Sequence, residues 1–197
     1  MSEKYEQLSF EDFGDKKTPK FAVLDFETGG LDEKTCGLAS VGIVRLDEDL
    51  KEVDRIYFLM YEPDRKYEQG ALNVNKLTVD HLQKEGKRPE EFIPILHELC
   101  DGMIMVCHNS QFDLRWANNR GFNFTDAVCT MENSMSIWPS QKAKLGMVYN
   151  RIFSHDFVGA HNALDDVLAT IDVLIWQVSR DKKWGEPKPI NWDRFKR

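Results

Sequence analysis

The 197-residue chain has no apolar run long enough to cross a membrane, and its opening stretch, "MSEKYEQLSFEDFGDKK", contains no apolar signal region. A soluble, cytoplasmic protein with no membrane partner is expected. Cysteine is scarce: Cys36, Cys100, Cys107 and Cys129 are scattered and form no CxxC pair, so they read as reduced, mostly structural thiols. No internal repeat and no low-complexity tract occurs. Positive charge is also short, the formal net charge being -7. That balance argues against a broad nucleic-acid-binding surface. It does not exclude a nuclease, because bound cations would offset a cluster of catalytic acids. The charge is uneven: residues 180–197 carry +4 and the remainder -11. The tail reads as a solvated end or, given Trp184, Trp192 and Phe195, as a contact with phosphates or a partner.

What is present fits one domain with a sizeable core, 42% of residues being hydrophobic and 30% charged. Residues 1–19 are polar and aperiodic and read as a flexible arm. Three strand-like runs follow, "KFAVLDF", "GLASVGIVRL" and "VDRIYFLMY", separated by the turn material "GGLDEK" and "DEDLKE". Short loops predict that they are antiparallel neighbours. "LTVDHLQKEG" predicts a helix capped by Thr78 and stopped at Gly86. "RPEEFIPILHELCDG" predicts another, with Pro89 in its first turn; Pro94 inside it implies a kink or a later start. "MIMVCHN" reads as a buried strand, "SQFDLRWANNRG" as a helix ending at Gly121, and "DAVCT" as a brief strand. Residues 131–158 show only helical fragments, around "ENSMSIW" and "KAKLGMVYN". A last helix starts near Ala163, its stripe formed by Ala163, Leu164, Val167, Leu168, Ile171, Leu174, Ile175 and Val178. The order predicts one α/β domain with a mixed sheet flanked by helices.

Three blocks carry chemistry. "LDFETGG" ends the first strand with Asp25 and Glu27, which share a face because strand side chains alternate. Gly29 and Gly30 then let the chain turn away without side-chain bulk. Paired carboxylates in an open patch suit hard cations such as magnesium or manganese. Taken alone, the same triplet is more often a solvated strand end. "CHNSQFD" follows a buried strand and puts Asp113 near a helix start, where a carboxylate is favoured; alone, it reads as a capping segment. "HNALDD" opens the last helix with His161 at its entrance. Periodicity does not separate Asp165 from Asp166, since both lie off the apolar stripe.

The ordered set of these motifs resembles the DEDDh exonucleases, the DnaQ-like group that includes polymerase proofreading subunits. The first family motif, D-x-E-T-x-G, matches Asp25, Glu27, Thr28 and Gly30. The second, H-N-x-x-F-D, matches His108, Asn109, Phe112 and Asp113, and the third, H-x-A-x-x-D, matches His161, Ala163 and Asp166. "NVNKLT" also resembles a segment these proteins carry after the third strand. Gly29 stands where relatives often have Thr or Ser, and Cys129-Thr130 where Asp-Thr is common; "SMSIWPSQKAK" is not aligned with the family pattern. The resemblance implies an RNase H-like fold with a five-stranded sheet, an exonuclease domain over residues 20–180, and a basic tail over 181–197.

It also implies a mechanism. Two divalent cations, Mg2+ or Mn2+, about 4 Å apart activate a water and stabilise the leaving 3′ oxygen. Asp25, Glu27 and Asp166 would hold the first ion; Asp25 would bridge to the second, with Asp113 helping directly or through water. His161 fits the general base, a role that suits histidine as a residue type near neutral pH. Thr28, Gly29 and Gly30 would lie beside the terminal nucleotide and Leu31 against its base. His108 and Asn109 would shape the site, and Phe112 would pack under it. The expected activity is 3′–5′ exonucleolytic release of nucleoside 5′-monophosphates from single-stranded DNA, in proofreading or repair, with a polymerase or replisome partner. The alternatives are the same chemistry on RNA ends or short RNA, and a replisome-binding module without catalysis. A 2′-hydroxyl is all that separates the first two.

Overall fold

The computed structural model describes residues 18–122 and 124–190. The expected N-terminal arm falls almost wholly outside the described residues, as do Trp192 and Phe195 of the tail. The three apolar runs form strands β1 (Phe21–Thr28), β2 (Leu38–Leu46) and β3 (Glu52–Leu59), antiparallel neighbours as expected. Helices α1 (Gln69–Asn75), α2 (Val79–Glu85) and α3 (Pro89–Cys100) follow. Then come β4 (Ile104–Cys107), α4 (Ser110–Asn119), β5 (Asp126–Cys129), α5 (Thr130–Ile137), α6 (Leu145–Phe153) and α7 (Ala163–Arg180). β4 runs parallel to β1, and β5 parallel to β4.

Local signals account for most boundaries. The Thr78 hydroxyl accepts the His81 amide at 3.2 Å at the start of α2. Glu91 reaches back to the Arg88 amide at 2.8 Å to open α3. α3 runs unbroken through Pro94, which faces solvent together with Glu90, the residue whose carbonyl it cannot serve. α1 has no counterpart in the sequence reading: it spans seven residues, buries only Leu72 and has no side-chain cap.

Two expectations need correction. The sheet has six strands rather than five, in the order β3-β2-β1-β4-β5-β6, where β6 is Lys188–Pro189. β6 pairs antiparallel with β5. A two-residue edge strand carrying a proline leaves no apolar alternation to read. The stripe of α7 is also narrower than expected, because Ile175 is 45% exposed while Gln177 is fully buried. Gln177 bonds the Thr130 carbonyl at 2.9 Å and Ser134 Oγ at 3.0 Å, so a polar side chain seats α7 on α5.

The two faces of β1 divide the core. Ala22, Leu24 and Phe26 pack with residues of α3 and α4, including Phe92, Leu96, Leu114 and Trp116. Phe21 and Val23 pack on the other face with Val167, Ile171 and Leu174 of α7. Asp25 and Glu27 continue that second face, so they point toward the start of α7.

A buried ion pair holds the loop that follows β1. The Arg120 guanidinium bonds Glu62 Oε2 at 2.6 Å and Oε1 at 3.3 Å, with side chains 3% and 8% exposed. The same guanidinium donates to the carbonyls of Glu33 (2.7 Å) and Cys36 (3.1 Å), and Glu62 accepts the Leu38 amide at 2.7 Å. One guanidinium thereby ties α4, the end of β3 and residues 33–38 together. Removing one partner strands the other charge in the interior. Arg120→Met is expected to lower unfolding free energy by about 3–5 kcal/mol in urea titrations; a loss below about 1 kcal/mol would show the pair to be dispensable.

Candidate active site

β1 outruns β4: the pairing of the two strands ends at Val23 with Val106. The polar groups of β1 beyond that point are met by side chains instead. The Cys107 thiol donates to the Leu24 carbonyl at 3.1 Å, and Asp113 Oδ1 accepts the Phe26 amide at 3.2 Å. Asp113 is thus placed at the sheet's open end by α4, whose cap Asn109 takes a left-handed conformation (φ 74°) to turn the chain from strand to helix. All four cysteines are free and buried, in keeping with structural thiols.

Asp166 arrives from the other side. The first turn of α7 lies against β2 at Gly42, the residue opposite Asp25. A Cβ at Gly42 would stand 2.6 Å from the backbone of Ala163 and Leu164. A glycine inside a strand signals such close approach, and this was the readable clue to a positioning residue that motif reading missed. The result is that carboxylate oxygens of Asp25, Glu27 and Asp166 lie within 4.8 Å of one another. The structure also separates Asp166 from its neighbour, since Asp166 joins this cluster while the Asp165 side chain lies against Gly159.

The cluster is crowded and poorly hydrated. Burial, then the charges of Asp113, Glu27 and Asp166, hold the Asp25 carboxyl well above the usual range. Burial pushes Asp113 up to about 8, against the Phe26 amide that favours its charged form. Burial and Asp166 push Glu27 to about 7. Burial pushes Asp166 to about 6, although it accepts the His161 amide at 3.1 Å. Three or four all-oxygen ligands that strain to ionise side by side form the donor set that a hard divalent cation satisfies.

His161 is exposed beside Asp166, two residues ahead of α7, with φ 69°. Asn162, the cap of α7, accepts the amides of Leu164 and Asp165 at 3.1 and 3.4 Å. His108 is different. Its Nε2–H donates to the Ala143 carbonyl at 2.6 Å and its Nδ1 meets the Thr130 hydroxyl at 2.8 Å. Burial pushes its pKa down to about 4, so a neutral ring spends both nitrogens on structure.

Beyond β1 the Thr28 hydroxyl donates to the Gly30 carbonyl at 2.7 Å. The Gly29 amide donates to Gly37 and its carbonyl accepts the Glu68 amide, so the Gly29 N–H is not available to a ligand. Its role is steric: a Cβ there would meet Tyr67 Cδ1 at 2.6 Å and the Lys66 carbonyl at 2.7 Å. Leu31 stands 78% exposed at the loop tip. Phe112 is half-buried against the main core and 6.1 Å from the Trp116 ring. Two further residues border the site. Asn75 Nδ2 donates to the Thr28 carbonyl at 2.9 Å, and the Lys76 ammonium donates to the Ala160 carbonyl at 3.4 Å, next to His161. Both lie in "NVNKLT", the segment that sequence resemblance flagged without assigning a role.

Residues 22–174 match the RNase T-type exonuclease family. The chain therefore belongs to that family of nucleases, the DnaQ-like group whose motifs it carries. It is 30% identical over 179 residues to a PolC-type DNA polymerase III of Thermotoga petrophila, covering 85% of this chain and 12% of that protein. It is 29% identical over 195 residues to the corresponding protein of Thermotoga maritima, covering 93% and 13%. The chain thus spans about an eighth of these relatives' length. Among solved structures, exonuclease X in complex with 5′-overhanging duplex DNA superposes with a TM-score of 0.66 at 22% identity, over 82% of this chain and 93% of that one. An Escherichia coli exonuclease I–single-stranded DNA complex superposes with 0.69 at 17% identity, over 85% and 42%. These likenesses establish the RNase H-like exonuclease fold.

Two predictions follow from the crowding and from Gly42. Each acid's folded pKa lies above its unfolded value near 4, so the metal-free native state binds more protons than the unfolded chain from about pH 4 to 8, and stability falls as pH rises through that window. Chelator-treated Asp113→Asn is expected to melt at least about 2 °C above wild type at pH 8, with the gap closing at pH 5; a lower melting temperature at pH 8 would contradict the crowding. Gly42→Ala is expected to cost about 1–3 kcal/mol through overpacking and to weaken Mn2+ binding measured by calorimetry. Unchanged metal affinity would show that α7 does not depend on that contact.

Proposed function

We propose that the protein is a metal-dependent 3′–5′ exonuclease that removes nucleoside 5′-monophosphates from the 3′ end of single-stranded DNA, in proofreading or repair alongside a polymerase. The observation that carries this reading is the convergence of Asp25, Glu27 and Asp166 oxygens within 4.8 Å, with Asp113 adjoining. The PolC-type relatives support the DNA and polymerase side of it. Among the described residues no helix is long and apolar enough to cross a membrane.

Asp25, Glu27 and Asp166 would hold one divalent cation, Mg2+ or Mn2+, and Asp25 with Asp113 would hold a second. When bound, they supply an activated water and stabilisation of the leaving 3′ oxygen. His161 would take a proton from the attacking water: it is exposed beside Asp166 and free of the buried bonds that commit His108. The Thr28 hydroxyl bond to Gly30 shapes the turn that presents Leu31 to the terminal base. The steric fit of Gly29 and Gly30 keeps that turn close to Cys36 and residues 66–68. Asn109 sets the entry of α4, and His108 and Phe112 support the wall beneath it.

Labelled single-stranded DNA and RNA of one sequence, digested side by side with Mg2+ and with a chelator, test this reading. Stepwise loss of DNA from the 3′ end, abolished by the chelator, is expected. Faster loss of RNA would reassign the substrate, and intact ends with both would favour a binding module. Asp25→Ala and Asp166→Ala are expected to abolish turnover while keeping the fold. His161→Ala is expected to keep Mn2+ binding and lower kcat by about 10²- to 10⁴-fold; unchanged kcat would remove His161 from the proton-accepting role.

A further inference from the structure

The stretch around the loop between α5 and α6 has an unusual charge. Residues 133–155 contain Lys142, Lys144 and Arg151 and no aspartate or glutamate, in a chain of net charge -7. Three contacts fix where it lies. The Ala143 carbonyl is held by His108, which directly precedes the cap of α4 and stands five residues before Asp113. Arg151 donates to the Lys142 carbonyl at 3.1 Å and covers the Trp138 ring at 5.0 Å. Ala143 packs with Leu145 and Trp138 onto Val148, Tyr149, Ala169 and Val173. Lys142 and Lys144 thus flank a residue that is held inward, and both are exposed. Among the described residues neither ammonium has a carboxylate partner.

From this placement we propose that the Lys142–Lys144 loop, braced by His108 and Arg151, is the phosphate-binding track that guides a single strand past the acidic centre. The inference rests on the exonuclease reading and specifies how a net-acidic protein holds a polyanion. A cluster of carboxylates repels the strand it must cut, so cations beside it have to offset that field locally. Two lysines two residues apart contact successive phosphates as point charges, without reading bases. The rigid bracing matters because a mobile pair of lysines would lose ordering entropy at each catalytic cycle.

The test uses the full chain, a Lys142→Gln/Lys144→Gln variant, and a Lys20→Gln/Lys51→Gln control. The control lowers net charge equally at the far end of the sheet, where Lys20 pairs with Leu46. Substrates are a twelve-residue oligothymidylate and the p-nitrophenyl ester of thymidine 5′-monophosphate. The variant is expected to raise KM for the oligomer at least about fivefold and to make the log–log salt dependence of binding shallower by about 1.4, at about 0.7 per phosphate contact. Its kcat, its hydrolysis of the small ester and its melting temperature should match wild type, and the control should change none of these. Unchanged oligomer KM and salt slope would overturn the track and leave the loop to an acidic protein partner. Equal loss on the small ester would also overturn it, by placing the lysines in the chemistry or the fold. If wild type cleaves neither substrate, the exonuclease reading fails instead. Fluorescence anisotropy of labelled oligomer with wild type and variant then still decides the track.

Discussion

Like charges confined at one end of a strand set the terms for everything else in this molecule. Asp25, Glu27, Asp113 and Asp166 share a partly dehydrated space, and burial rather than any single neighbour dominates the upward shift of each. A protein gains nothing in folding from such a cluster. Its persistence makes sense where an ion of double charge completes it, and the oxygen-only donors select a hard one.

Holding that repulsion in place requires a scaffold that resists spreading. β1 projects past β4, and the uncovered edge is closed by Asp113 and Cys107 side chains instead of another strand. Gly42 admits α7 to backbone contact with β2 and so delivers Asp166. On the far side of the turn, Arg120 and Glu62 pin residues 33–38. Gly42, Cys107, Arg120 and Glu62 stand outside the carboxylate cluster, yet each fixes a segment around it. The rigidity is what converts an electrostatic liability into a binding site.

Much of this was legible in the chain. Apolar runs bounded by turn residues marked β1 to β3, and the cap chemistry of Thr78 and Gly86 marked α2. Asp25 and Glu27 were readable as one face because strand geometry permits nothing else. Asp113 and Asp166 were chosen through the resemblance, since helix periodicity alone does not separate Asp166 from Asp165. What remained hidden has physical causes. β6 is two residues long, and α1 buries one leucine. The Arg120–Glu62 pair joins residues 58 apart, and no local pattern announces such a partner. Residues 131–158 were legible only in part: α5 and α6 fall on the two helical fragments read there, while the loop between them is held by His108 and Arg151 on backbone carbonyls, which no side-chain period announces.

The central claim is that the carboxylates form one shared cation site. Crystals soaked in Mn2+ and measured at the manganese absorption edge test it without reliance on turnover. The account predicts an anomalous peak within ligand distance of Asp25, Glu27 and Asp166 together, about 2.0–2.3 Å from their oxygens, with a second near Asp25 and Asp113. Well-ordered crystals showing manganese only elsewhere, or bound by one of these residues without the others, would contradict it.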